Sequence, residues 1–211
     1  MTKVKQRRPR STLLRTLAEM ARPHRLVEPG AFYHVGSRGN SKQPIYWDRF
    51  DRIFFLQSLG RAARRYRWIV YAYCLMTNHY HLVLQVPDAG LSEGMCELNC
   101  GYSRRTNLRY GRSDHLFRNR FFDAHIETDG HLLEACRYVI LNPVRAELCS
   151  RPEEWQWSSY RACAGLDFAP PCLATDEFLR LFARTPDRAR ATYRKFVADA
   201  PEEALRPRVP A

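Results

Sequence analysis

Two apolar runs, Ile69–Leu75 and His79–Val86, stand only three residues apart. The link Met76-Thr77-Asn78 is too short for a crossover, so the pair must form an antiparallel hairpin. Around it the chain alternates strand and helix signals. Ala31–Arg38 alternates like a strand and ends in the turn Arg38-Gly39-Asn40-Ser41. Asp48 to Tyr66 has helical period, with Phe50, Ile53, Phe54, Leu56 and Leu59 marking its expected buried side. Leu91 to Tyr110 predicts a second helix, Phe121–Glu127 a fourth strand and Gly130–Leu141 a third helix. The order β-α-β-β-α-β-α predicts an α+β fold. Its expected form is a ferredoxin-like (RRM-like) antiparallel sheet with helices packed on one face and a C-terminal helix bearing a tyrosine.

Within the hairpin, alternation puts His79 and His81 on one sheet face and Tyr80, Leu82 and Leu84 on the other. Two imidazoles side by side on a strand supply most of a small metal site. On the third helix Tyr138 and Asn142 are four apart and can share a face. They fall nearly opposite the apolar stripe Leu132, Leu133, Cys136, Val139 and Ile140, and Pro143 is expected to end or kink the helix. A divalent ion on His79, His81 and Asn142 would polarise a phosphodiester that Tyr138 attacks. Free tyrosine has a pKa of about 10, so it needs a positive environment to gain phenolate character. The product would be a 5′-phosphotyrosine with a free 3′ hydroxyl, ready for rejoining. Imidazole and amide ligands suit Mn²⁺ or Zn²⁺, with Mg²⁺ served once substrate oxygens complete the shell. Asp123, His125 and Glu127 are rival ligands, and Tyr102 and Tyr110 rival nucleophiles.

Charge points to the partner. The 211 residues carry 34 Lys plus Arg against 22 acids, a formal net charge of +12. That surplus is mostly arginine, the side chain best shaped for phosphate. Arg104, Arg105, Arg109, Arg112, Arg118 and Arg120 flank the second helix and the following loop. With Arg38 they are the expected DNA contacts, placed near the tyrosine helix. Residues 1–19 read as a mobile basic arm and 20–163 as the catalytic domain. Residues 164–211 read as a Pro/Arg-rich tail with a peripheral helix near Thr175–Val197. Seven cysteines without framework spacing, no secretory leader and no membrane-length run predict a reduced cytoplasmic protein with mostly buried thiols. Cys96 and Cys100 could share a helical face, but core thiols are the simpler reading.

Several stretches, in order, resemble the single-tyrosine HUH (IS200-like) transposases, specifically the REP-associated tyrosine transposases. They are Gly30-Ala31-Phe32-Tyr33-His34-Val35 with Arg38-Gly39-Asn40, Ala72 to His81, His115 to Phe121, Tyr138 to Ala146, and Trp157-Ser158-Ser159-Tyr160. The resemblance runs from about Met20 to Cys163. It implies a ferredoxin-like core, a divalent ion (Mg²⁺ or Mn²⁺) on the two histidines, Asn142 as third ligand and Tyr138 as nucleophile. It also implies cleavage of single-stranded DNA beside a short imperfect palindromic hairpin, with a monomer as the expected state. The family's opening resembles Met20-Ala21-Arg22-Pro23, which makes 1–19 either an added arm or a misassigned start. Two other classes compete: a non-catalytic single-strand-binding module, and a metal-dependent hydrolase that activates water and has no need of Tyr138.

Overall fold

The hairpin forms as expected: β2 (Ile69–Leu75) and β3 (His79–Gln85) pair antiparallel in the computed structural model. The structure describes residues 27–88 and 90–201; the expected basic arm and residues 202–211 of the tail lie outside the described residues. β1 (Phe32–Arg38) pairs with the other side of β3, and β4 (Phe122–Ile126) with the outer side of β1. The order β2-β3-β1-β4, antiparallel throughout, is the ferredoxin-like arrangement.

The first helix, α1 (Arg49–Arg65), starts where Asp48 caps it: Asp51 N–H donates to Asp48 Oδ1, and Asp51 Oδ2 accepts from the Asp48 N–H in return. Its buried side differs from the expected one. Asp51, Phe55, Ser58, Leu59, Ala62 and Ala63 face inward, while Phe50 is 63% exposed. The cause is non-local. Arg109, at the end of α2 (Leu91–Tyr110), holds both Asp48 and Asp51 at 2.6 Å, and this pins the helix with Asp51 inward.

The helices also divide between the two sheet faces. Helices α1 and α2 cover the face of Tyr33, Val35, Tyr80, Leu82 and Leu84; there Phe55 packs on Tyr80 and Tyr102, and Asn99 joins the Tyr80 hydroxyl to Ser37. The third helix, α3 (Asp129–Arg145), lies on the opposite face, over β2 and β3, rather than beside the other two.

Residues 155–198 are part of this body. The stretch Trp157-Ser158-Ser159 runs along the outer edge of β2: Leu75 N–H donates to Trp157 O and Ser159 N–H to Tyr73 O, both at 2.9 Å. That edge is therefore covered, which removes one site for stray strand pairing. Short α4 (Tyr160–Cys163) follows, then α5 (Thr175–Arg180) and α6 (Pro186–Ala198). The single expected helix over 175–197 is two, because Pro186 can start a helix but not continue one. The two are not peripheral. Phe178 and Tyr193 are fully buried, and α6 backs α3: Arg137 donates to Phe196 O at 3.1 Å and stacks 4.3 Å from its ring. Four cysteines, 74, 136, 163 and 172, are buried, but Cys96 and Cys100 are exposed with their sulfurs 3.5 Å apart, contrary to the core expectation. Among the described residues no helix is long and apolar enough to cross a membrane.

Candidate active site

Alternation along β3 turns His79 and His81 towards α3. The β1 register sets Arg38 opposite His79 and Gly36 opposite His81, so His34, one further pair along, shares their face. Each imidazole has one nitrogen fixed. His79 Nδ1 donates to Asn78 Oδ1 at 2.7 Å, and Asn78 Nδ2 in turn donates to Lys42 O at 2.8 Å, which fixes the amide's orientation. His81 Nδ1 lies 2.9 Å from His34 Nε2. Nε2 is thus the nitrogen left on both His79 and His81, whose rings stand 5.0 Å apart and nearly perpendicular. Burial, then the nearby Arg38 charge, lowers the His79 pKa to about 4. Burial, then His131, brings His34 to about 4, and burial with the neighbouring histidines takes His81 well below its usual value. All three imidazoles are neutral near pH 7, the form a metal requires.

On α3, Tyr138, Asn142 and Arg145 lie one and two turns apart on one side. Pro143 does not end the helix, which runs on to Arg145. A proline lacks the N–H that would bond the carbonyl four residues back, here Val139. Asn142 supplies the substitute: its Nδ2 donates to Val139 O at 3.2 Å and to Tyr138 O at 3.0 Å. The repair uses the amide nitrogen, and Asn142 itself lines the cleft. Tyr138 is half-buried. Its ring centroid is 5.7 Å from that of His34 and 6.1 Å from that of His81, and the Arg145 guanidinium lies 4.1 Å from it. Tyr138, Asn142, Arg145, His79 and His81 line a cleft of about 420 Å³ with Arg38 and Phe122.

His79, His81 and Asn142 are thus neutral side chains lining one cleft, each with one polar atom already held by another bond, a chemistry that fits a divalent ion. Among the described residues no three His, Cys, Asp or Glu side chains gather as a metal cluster. The rival ligands are misplaced: Asp123 and His125 pair with Val35 and Tyr33 and face away from His79 and His81, and Glu127 lies past the strand. The rival tyrosines are engaged elsewhere. Tyr102 donates to Ile45 O at 2.6 Å, and Tyr110 donates to Asp51 at 2.9 Å, with burial and that carboxylate pushing its pKa up to about 12.

A family model described as Transposase IS200 like matches residues 30–141, more than half of the chain and all four strands of the sheet. The chain belongs to the IS200-like transposase family. Among solved structures it is similar to one described as a REP-associated tyrosine transposase bound to a REP hairpin. The TM-score is 0.60 at 14% identity, covering 74% of this chain and 92% of that one, a likeness of fold. The tRNA(His) guanylyltransferase of Saccharomyces cerevisiae aligns at a TM-score of 0.40 and 8% identity over 90% of this chain and 89% of that one, too loosely to bear on either fold or function. A search of curated sequences found no match.

In this transposase the expected arginines separate. Arg38 lines the cleft, and its buried Nε has no hydrogen-bond partner among the described residues. Arg118 is its neighbour, since Arg118 N–H donates to Arg38 O at 2.9 Å. Arg120 is exposed just before β4. Arg104, Arg105, Arg109 and Arg112 are not near the tyrosine helix, because α2 packs on the other sheet face. Arg105 stacks 4.5 Å from Phe54, Arg109 binds Asp48 and Asp51, and Arg112 lies 5.2 Å over Trp47. Sequence reasoning assigned no role to His34, Arg145 or Phe122. Arg145 had a findable signal, seven residues beyond Tyr138 and so two turns along. His34 and Phe122 needed the strand register.

Proposed function

We propose that this transposase cleaves and rejoins single-stranded DNA beside short imperfect hairpins through a covalent bond to Tyr138. The observation that carries the reading is the convergence of Tyr138 with three oriented neutral donors, His79, His81 and Asn142, in one cleft. A divalent ion held there, Mg²⁺ or Mn²⁺, would act as a Lewis acid on the scissile phosphate. The remaining work falls to the chain. Arg38 draws a phosphate oxygen into the cleft. Arg145 and His34 fix the Tyr138 ring by its face and edge, and Arg145 places positive charge beside the oxygen as it turns anionic. The Tyr138 oxygen bonds to phosphorus, the P–O3′ bond breaks, the phenolic proton passes to solvent and the leaving 3′ oxygen takes one up. Attack by another 3′ hydroxyl reverses the step and joins strands without ATP. A hairpin partner is supported by the similar solved protein, which is itself bound to a REP hairpin.

The test is a denaturing gel of protein mixed with labelled single strands carrying an imperfect hairpin and Mn²⁺. Wild type should retain label and Tyr138→Phe should not, with hairpin affinity kept within a few-fold. Cleavage that survives Tyr138→Phe but not His79→Ala would point to activated water instead, and binding without any cleavage to a recognition module.

A further inference from the structure

Phe122 opens β4 and is 44% exposed, although it lines the cleft beside buried groups. Its ring stands edge-on to His34 at 5.2 Å and tilted to His81 at 5.6 Å, so one edge rests on the histidines. Gly36, its register partner on β1, makes this placement available. A Cβ built at Gly36 would first collide with the Tyr80 carbonyl oxygen on β3 and would also come within 2.6 Å of the Phe122 ring. The close approach of the β3 backbone already bars a side chain at Gly36, and the bare position this leaves in mid-strand is where the Phe122 ring lies, at the mouth of the cleft. Helix α3 lies mainly over β2 and β3 and covers the β4 end of this face only sparsely, with Ala124 also exposed. The surroundings carry positive charge: Arg38 in the cleft, and exposed Arg118 and Arg120 on the segment leading into Phe122.

From this we infer that Phe122 is a stacking platform for one unpaired base of the bound single strand, the base beside the phosphate held in the cleft. An exposed ring flanked by phosphate-seeking cations is the arrangement by which proteins hold single strands without reading base edges. The ligand is a nucleobase of single-stranded DNA, and its sugar-phosphate chain runs from the ring towards Tyr138. The inference deepens the cleavage reading proposed above and rests on it for the direction of the strand.

The experiment measures binding without chemistry, in the Tyr138→Phe background with chelator present. Fluorescence anisotropy compares labelled oligo(dT), oligo(dA) and an abasic strand of equal length, which keeps every phosphate and lacks the bases. Phe122→Ala should weaken oligo(dA) and oligo(dT) by about 5- to 150-fold, the purine strand more, and leave the abasic strand unchanged. Phe122→Trp should restore affinity, whereas Phe122→Leu, which keeps apolar bulk and serves if the alanine variant is unstable, should not. Equal losses on based and abasic strands, or no loss on either, would overturn the platform. The outcome is independent of covalent attachment: a wild-type protein that forms no adduct sinks the cleavage proposal and leaves this comparison intact.

Discussion

The two faces of β3 share a backbone and differ in every other respect. On one, Tyr80, Leu82 and Leu84 are sealed under α1 and α2, and the Tyr80 hydroxyl is paired through Asn99 to Ser37. On the other, one residue out of step, His79 and His81 look into an open cleft with Tyr138, Asn142 and Phe122. The first face gains from removing apolar surface from water, about 1.5–3 kcal/mol for each large side chain buried. The second holds imidazoles whose burial makes protonation costly and gains its order from hydrogen bonds one shell out. Damage should therefore sort by face: loss of stability with chemistry intact on one, loss of chemistry with stability intact on the other.

The sharpest contrast should come from the ligands. His81→Ala or His79→Ala should remove nearly all covalent adduct while the melting temperature falls by only a few degrees, since each deletes one small side chain at the rim of the core. A large fall in melting temperature would merge the two faces into one cooperative core. Next in size, His34→Ala should weaken Mn²⁺ binding by about 10- to 100-fold, read by direct metal titration, because His81 loses the partner that fixes its tautomer. His34→Gln, which keeps an acceptor, should recover much of it; equal defects in both variants would assign His34 to packing alone.

Acid should act through the cleft face as well. His34 and His79 sit at about 4 when folded, against an ordinary value near 6.5. Between these values the unfolded chain binds protons that the folded chain does not. Stability is then full above about pH 6.5 and falls as pH drops towards 4, by up to about one proton's slope per histidine. Melting curves across that range should flatten in His34→Gln, and an unchanged slope would remove His34 from the account. On the sealed face Tyr80→Phe should cost about 1–3 kcal/mol by orphaning Asn99, with adduct yield per folded molecule unchanged. The smallest effect concerns phosphate. Arg118→Ala should lower the salt slope of DNA binding by about one unit, and Arg105→Ala on the opposite layer by none.

Legibility followed the same division. The hairpin and the limits of α2 were readable because period and turn length are local properties. The inward face of α1 was not: Phe50, Ile53 and Phe54 fit the helical period as well as Phe55 and Leu59 do. Arg109, far along the chain, decides between them by holding Asp51 inward. In the cleft His79, His81, Tyr138 and Asn142 could be found by spacing within one strand and one helix. His34 reaches His81 across 47 residues of sequence, and only pairing of β1 with β3 brings them together. Pro143 reads as an end or a kink, and of these the end does not occur, because the preceding side chain supplies the missing donor. The Pro/Arg-rich composition of the tail reads as peripheral, yet Phe178 and Tyr193 are fully buried, because the partner face on α3 lies far back in the sequence.

The backing of α3 by α6 has a consequence for how copies of such a gene lose function. The family match stops at residue 141, and every group of the cleft lies before residue 147. A copy truncated by a stop codon after codon 163 would still encode the whole recognisable domain. It would lack Phe178, Tyr193 and the Phe196 carbonyl that Arg137 holds. Such a reading frame would look intact by motif and yield a protein whose tyrosine helix has lost the helix that backs it, so a helix pair that lines no part of the cleft bears on whether the gene is alive.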